Sequence, residues 1–464
     1  MQKNWLNQSI PNPNKGLTIA AAVTTDITDT PTAISPNLKQ PLSWALVWAM
    51  LYLGACTWAN AQITQVNSPY SRLGTGVVYP SQFAANRALG GVFAAYQSTS
   101  NINVDNPASY PNLKLTTFEM AAQGNGLWLA EGNNRSKSST GSLSYLAFCF
   151  PATNFWGTSV GLLPYSSRSY DIERIIATGQ PDIDTIAYRF EGKGQLYRIF
   201  WGNGFKYKGI AAGFNASYVF GTESRQYRSW FPTLPDSYGS FLSTDFAPKG
   251  LLLDFGLQYT RKIAGNVQWT GGLTGSPGMT LGGKREQTKG RELYYSGKPY
   301  TITDSTKTSI ANAKMKMPPK VAVGIQFNNP GKWLAVADIA YENWNAFRFE
   351  NQPDSSLTNN MRFAVGFAFT PDSRSFNKFW QAAEYRFGFN YHTGRWKYNG
   401  QQLPTWSATL GAGFPLRRIG TRVNFALEVG QTGSLSSNII RETFVIGTVG
   451  FTLNERWFIK PKFD

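Results

Sequence analysis

Between residues 115 and 453, apolar and polar side chains alternate in short runs separated by polar breaks. In 266 to 274, Val267, Trp269 and Leu273 share one parity and Gln268, Thr270 and Thr274 the other. The run 320 to 328 sets Val321, Val323, Ile325 and Phe327 on one side, and 361 to 370 does the same with Met361, Phe363, Val365, Phe367 and Phe369. A period of two predicts β-strands whose two faces meet different solvents. Strands are predicted near 115–124, 142–150, 155–165, 194–207, 209–220, 250–261 and 265–276, then near 318–328, 332–342, 360–370, 382–392, 405–415, 421–430 and 441–453. The total of about fourteen is even, as single-chain bacterial barrels require.

The breaks alternate in length. Short ones fall at Pro151 to Asn154, Tyr207-Lys208-Gly209, Lys262 to Gly265 and Asn329-Pro330-Gly331, and long polar ones at 166–193, 221–249, 277–317 and 343–359. A soluble sandwich also alternates apolar and polar residues, but its loops follow no such rule, whereas an outer-membrane barrel has short periplasmic turns and longer external loops. One longer link, 371–381, falls on the expected periplasmic side. The predicted fold is all-β: a transmembrane antiparallel β-barrel of about 14 strands, its lumen plugged by an N-terminal segment.

Composition agrees. Of 464 residues 15% are aromatic, 45 are glycine and only 15% are charged, against about 25% charged in soluble domains. The sequence has no stretch of eighteen or more apolar residues, which excludes a helical membrane bundle and leaves a barrel as the way to cross. Tyr259, Trp269, Trp333, Tyr341, Trp344, Tyr391, Trp406 and Trp457 lie near strand ends, where an interfacial girdle would place them. The stretch Thr443 to Leu453, followed by Arg456-Trp457-Phe458-Ile459, resembles a closing strand recognised by the barrel-assembly machinery, although the chain ends at Asp464 with Phe463 next to last.

The formal net charge is +17. The basic residues Arg225, Arg228, Lys284, Arg285, Lys289, Arg291, Lys314, Lys316 and Lys320 are scattered through loop-like segments without a nucleic-acid module, so outer-membrane lipid and lipopolysaccharide are the expected partners and nucleic acid is not. Of the two cysteines, Cys56 falls in an export signal and Cys149 remains as a small strand hydrophobe; no metal or cofactor set is present.

Residues 43–58 form an apolar run after Lys39 and before Ala59-Asn60-Ala61, predicting a signal peptide over 39–61 cut after Ala61. Leu53-Gly54-Ala55-Cys56 offers a lipobox as the alternative. Residues 1–38 read as a disordered leader or mis-assigned start, 62–114 as a hatch or plug, and 115–464 as the barrel.

Leu89-Gly90-Gly91 and Asp105-Asn106-Pro107-Ala108-Ser109-Tyr110 resemble the Asn-Pro-Ala-bearing hatch of the FadL/TodX-type hydrophobic-compound transport barrels. The resemblance implies capture of a hydrophobic cargo by external loops and lateral exit beside the hatch. It assigns gate or ligand roles to Asn106, Pro107 and Ala108, with Pro164 breaking a ladder bond in the third strand to help open the wall; Pro164 merely ending that strand is the plainer reading.

Gly157-Thr158-Ser159-Val160-Gly161 matches the nucleophile-elbow pattern, but Ser159 falls within a predicted strand, and the one histidine, His392, is its one candidate base. Strand parity places Asp254, Gln258, Gln268, Asp338, Arg362, Glu384, Arg386, Asn390, His392, Arg422, Asn424 and Glu428 in the lumen. Mixed charges of this kind usually hold a plug to a wall. The resemblance makes passive uptake of small hydrophobic compounds, fatty acids or hydrocarbons, the expected function; the alternative is an accessory barrel in an outer-membrane assembly without transport activity, and the remote one a lipid hydrolase. A continuous apolar cavity favours the first, a sealed lumen the second, and separation of Ser159 from His392 removes the third.

Overall fold

In a computed structural model of the protein, the alternating strands close on themselves. The structure describes residues 68–455 except 180–183, 235, 296–297, 376–377, 399, 417–420 and 434–439. The expected leader, signal peptide, Ala61 cut and Cys56, and the stretch from Arg456 through Trp457 to Phe463, lie outside the described residues.

Fourteen strands form the wall. They are β1 (Thr116–Glu131), β2 (Asn134–Pro151), β3 (Trp156–Ala177), β4 (Thr185–Tyr207), β5 (Ile210–Trp230), β6 (Ser237–Ala264) and β7 (Val267–Ser276), then β8 (Lys320–Asn329), β9 (Trp333–Glu342), β10 (Asn360–Phe369), β11 (Glu384–His392), β12 (Thr405–Leu416), β13 (Thr421–Thr432) and β14 (Arg441–Glu455). Neighbours in sequence pair antiparallel, and β14 closes on β1 in an unbroken register from Thr116↔Glu455 to Ala130↔Arg441. Closure leaves no backbone edge along this seam to be satisfied by lipid.

Burial follows the pleat. In β10 every second residue from Asn360 to Ala368 is buried, while Met361, Phe363, Val365, Phe367 and Phe369 are exposed outward. Val321, Val323, Ile325 and Phe327 do the same on β8, and Leu251, Phe255, Leu257 and Tyr259 on β6. From Leu251 to Tyr259 the belt covers the roughly 9–11 residues a tilted strand needs to cross the hydrocarbon. Tyr259, Tyr341, Tyr391 and Trp406 are exposed near strand ends, as a girdle requires. Trp344 departs from that expectation: it is buried in a loop cluster inside the barrel mouth.

The expected long loops are largely strand. Segments read as polar loops at 166–193 and 221–249 are continuations of β3 to β6, and 277–317 contains a hairpin, Thr280–Tyr295 with Lys298–Lys316, whose first strand pairs with the upper half of β6 from Ser237↔Tyr294 to Lys249↔Gly282. The link between β1 and β2 is a tight hairpin through Gly132. These extensions escape a period-of-two reading because water lies on their outward face too. Arg189 pairs there with Asp171 at 2.8 Å and Glu191 at 3.2 Å, and Arg228 with Glu191 at 3.1 Å and Glu292 at 3.4 Å. By the rule that long connections are external, this is the outer side.

Candidate functional site in the barrel lumen

Residues Ser68 to Lys114 lie inside the wall, and the polypeptide is rich in small and turn-forming residues because the space is narrow. Asn106 opens a short 3₁₀ turn, Pro107–Asn112, by accepting the Ala108 N–H at 3.1 Å. Its amide donates to the Ala94 carbonyl at 2.5 Å, tying two passes of the segment together. Asn106, Ala108 and Tyr110 are completely buried. The Asn-Pro-Ala triplet is therefore part of a packed floor.

The wall makes room for that floor with glycines aligned from strand to strand. Gly157↔Gly204, Gly204↔Gly213 and Gly213↔Gly256 are successive cross-strand pairs on β3 to β6, Gly272↔Gly324 joins β7 and β8, and Gly366↔Gly388 joins β10 and β11. A Cβ at Gly157 would come within 2.7 Å of the Tyr110 carbonyl carbon, at Gly213 within 2.6 Å of that of Pro107, and at Gly366 within 2.5 Å of the Leu89 oxygen. The segment thus runs around the inner circumference with its backbone against the wall. Nothing in the sequence read singly announces these rows, since they exist only once the register is known.

Polar side chains latch the floor. The Asp338 carboxylate accepts the N–H groups of Phe93 and, at 2.8 Å, Ala94. Arg362 donates to the carbonyls of Gly90 at 2.9 Å and Gly91 at 2.6 Å. Glu119, which parity reasoning had not selected, accepts the Ile102 N–H at 2.6 Å. Arg87 of the segment pairs with Glu428 at 3.5 Å. Hydrogen bonds with one charged partner contribute about 1.5–3 kcal/mol each, so together these oppose release of the floor.

The other lumenal charges pair within the wall. Asp254 meets Lys320 at 3.1 Å and Arg198 at 3.5 Å. Glu384 meets Arg422 at 2.8 Å and Arg386 at 3.1 Å, and Arg386 donates to Asn424 at 2.8 Å. His392 stands between Arg362 and Thr405 in the ladder and lines a chamber of about 410 Å³ above the floor.

Trp344, Trp396 and Met317 are among the chamber's lining residues. Loops 343–359 and 393–404 turn inward, and Trp344, Phe347, Leu357, Trp396 and Leu403 pack with Leu281, Met315 and Met317 of the hairpin into one apolar core. Arg395 lies over the rings of Trp344 at 5.2 Å and Trp396 at 4.7 Å, and Tyr70 stacks on Trp396 at 5.8 Å.

One side of the wall is incompletely zipped. β2 and β3 pair only from Pro151↔Gly157 to Leu146↔Leu162. Pro164 does not end β3, which runs on to Ala177; it marks a register shift between Pro164 and Ser166 against β4, just above the point where pairing with β2 stops. The lumenal segment takes over this edge. Val77 and Val78 pair with Ser167 and Ser166, and the completely buried Arg168 donates to the carbonyls of Ser71, Arg72 and Gly74 while pairing with Glu223 at 3.1 Å.

Ser159 is a strand residue opposite Cys149, its hydroxyl donating to the Phe148 carbonyl at 3.0 Å, while His392 lies on β11 across the barrel. The two are not brought together.

A family model described as BamG matches residues 45–464. No curated protein matches the chain. Among solved structures, the Pseudomonas putida toluene transporter TodX is similar at 15% identity, covering 85% of this chain and 100% of its own, with a TM-score of 0.54. A Pseudomonas aeruginosa FadL homologue is similar at 10% identity, with 82% and 99% covered and a TM-score of 0.57. The Ralstonia pickettii toluene transporter TbuX gives 13%, 81%, 99% and 0.52. At these identities the likeness establishes a shared FadL-type barrel fold.

Proposed function

The chain belongs to the BamG family, and from that premise we propose that it is a closed accessory barrel of an assembly in the bacterial outer membrane. One observation carries this reading: the rows of wall glycines let the lumenal segment lie backbone-to-wall. A scaffold needs a rigid wall and exposed loops, and a segment packed backbone-to-wall supplies the first. The family description points to the barrel-assembly machinery as the partner. Export by the signal peptide over 39–61 and insertion by that machinery complete the route. The lumenal polar residues Asp254, Asp338, Arg362, Glu384, Arg386, His392, Arg422 and Glu428 are in this reading structural.

Isolation of the chain from its own membranes in mild detergent tests the reading. Recovery of other assembly subunits in fixed proportion supports it; recovery of the barrel alone, from membranes in which the machinery is intact, counts against it.

A second reading, passive uptake of small hydrophobic compounds such as fatty acids or hydrocarbons, is favoured by the chamber and by the short β2–β3 ladder beside Pro164. In it, cargo leaves sideways through that part of the wall, beside Asn106, Pro107 and Ala108. Loss of hydrocarbon uptake on deletion of the chain, with outer-membrane protein levels unchanged, would favour it.

A further inference from the structure

The outward face of the external hairpin carries cations at one height. Ala313, Met315 and Met317 are buried inward, so Lys314 and Lys316 between them point out and are exposed. Register places Lys314 opposite Gly282, and Gly282 opposite Lys249, which is also exposed. Strands lie about 5 Å apart, so the two lysines flank a glycine at about 10 Å, within reach of converging four-carbon stems. Near Gly282 the space is open: a Cβ there would meet only the Asn312 side-chain oxygen, at 3.0 Å. Lys316 has Arg348 as its cross-strand neighbour, with Arg348 turned onto the carbonyls of Asn345 and Phe347.

Two further features fix what this row faces. Lys249 stands two residues above Leu251, which is 55% exposed and heads the lipid-facing series of β6, so the row sits where the hydrocarbon ends and headgroups begin. Lys249, Lys314 and Lys316 have no carboxylate at ion-pair distance among the described residues. Of the acids in the neighbourhood, Asp245 and Glu286 are cross-strand partners higher up, and Glu286 is taken by Lys284 at 2.6 Å and Lys307 at 3.0 Å, while Glu350, whose N–H reaches the Lys314 carbonyl, is taken by Arg285 at 2.6 Å. Three unneutralised cations at headgroup level call for anionic groups supplied by the membrane.

We propose that Lys249, Lys314 and Lys316 form a docking site for the phosphate groups of lipopolysaccharide in the outer leaflet. The site lies outside the lumen and is independent of whether the barrel transports. It holds the hairpin and the upper half of β6 against the membrane surface, and it accounts for part of the excess positive charge.

The test titrates the purified full chain in neutral detergent with lipopolysaccharide and counts bound molecules by native mass spectrometry. The triple variant K249Q/K314Q/K316Q is expected to bind about 30- to 100-fold more weakly, at roughly three- to fivefold per lysine. A control variant, K137Q/K193Q, removes exposed lysines elsewhere and should bind as the parent does. Barrel folding of each is checked by heat-dependent gel migration. Lipopolysaccharide stripped of its phosphates should bind the parent as weakly as the intact lipid binds the triple variant, and phosphatidylglycerol or inorganic phosphate should fail to compete at equal phosphate. Equal binding by the folded triple variant, or by the stripped lipid, overturns the proposal. Preferential binding of phosphatidylglycerol at these lysines would overturn the assignment to the outer leaflet.

Discussion

Gly213 and Gly256 face each other across the β5–β6 ladder, and Pro107 of the lumenal segment lies over both. The contact is to backbone and ring atoms, which cannot swing aside as a long side chain would. Adding one methyl group at Gly213 should therefore displace the floor, at a cost of about 1–3 kcal/mol. Gly213→Ala is expected to make residues 68–114 accessible to protease in an otherwise folded barrel. Gly124→Ala, at a wall glycine with nothing within 4 Å of the added atom, should leave the digestion pattern unchanged.

Asp338 accepts two backbone N–H groups of the segment. Asp338→Ala would leave both donors buried without a partner, at about 1–3 kcal/mol each. Hydrogen exchange at Phe93 and Ala94 should accelerate strongly in that variant and less in Asp338→Asn, which keeps one acceptor. Unchanged exchange in both would mean that the floor is held by shape alone.

Arg168 and Glu223 form a pair with 0% and 5% of their side chains exposed. Removing one partner of a buried pair costs about 3–5 kcal/mol, because the other charge is left uncompensated. Arg168→Met should lower stability by that amount and loosen residues 68–79 along β3. The double variant R168M/E223L should recover much of the loss in global unfolding while leaving the carbonyls of Ser71 and Arg72 without their Arg168 donor, so local exchange there should stay fast. Full recovery of both would show that the guanidinium does not hold the segment.

How far these features could be read from the chain depends on how many solvents each strand meets. Met361 to Phe369 alternate cleanly because lipid lies on one side and a packed lumen on the other, and the parity that put Asp254, Asp338 and Arg386 inward followed from that. Arg189 and Arg228 sit in equally regular strands, yet both faces there admit polar groups, and the period vanishes into what reads as loop. The glycine rows were hidden for another reason. In isolation a strand glycine signals a bend, and only the pairing of Gly157 with Gly204, of Gly204 with Gly213 and of Gly213 with Gly256 turns four such residues into a shelf. Trp344 was placed in the girdle by its distance from a strand end, although its loop folds into the mouth.

A reversible lock on the floor separates a closed barrel from a moving hatch. A Cβ built at Gly450 lies 3.0 Å from that of Ala84, about 0.5 Å inside the shortest separation a disulfide spans, so a small shift of the segment brings the pair into bonding range. Cysteines at these two positions, A84C/G450C, would tie the lumenal segment to β14 under oxidation and release it under reduction. The measurement is uptake of a labelled hydrocarbon into cells carrying only this variant. A closed accessory barrel predicts the same uptake oxidised and reduced, with assembly of other outer-membrane proteins unimpaired in both states. Uptake that falls on oxidation and returns on reduction would contradict it and establish a moving hatch.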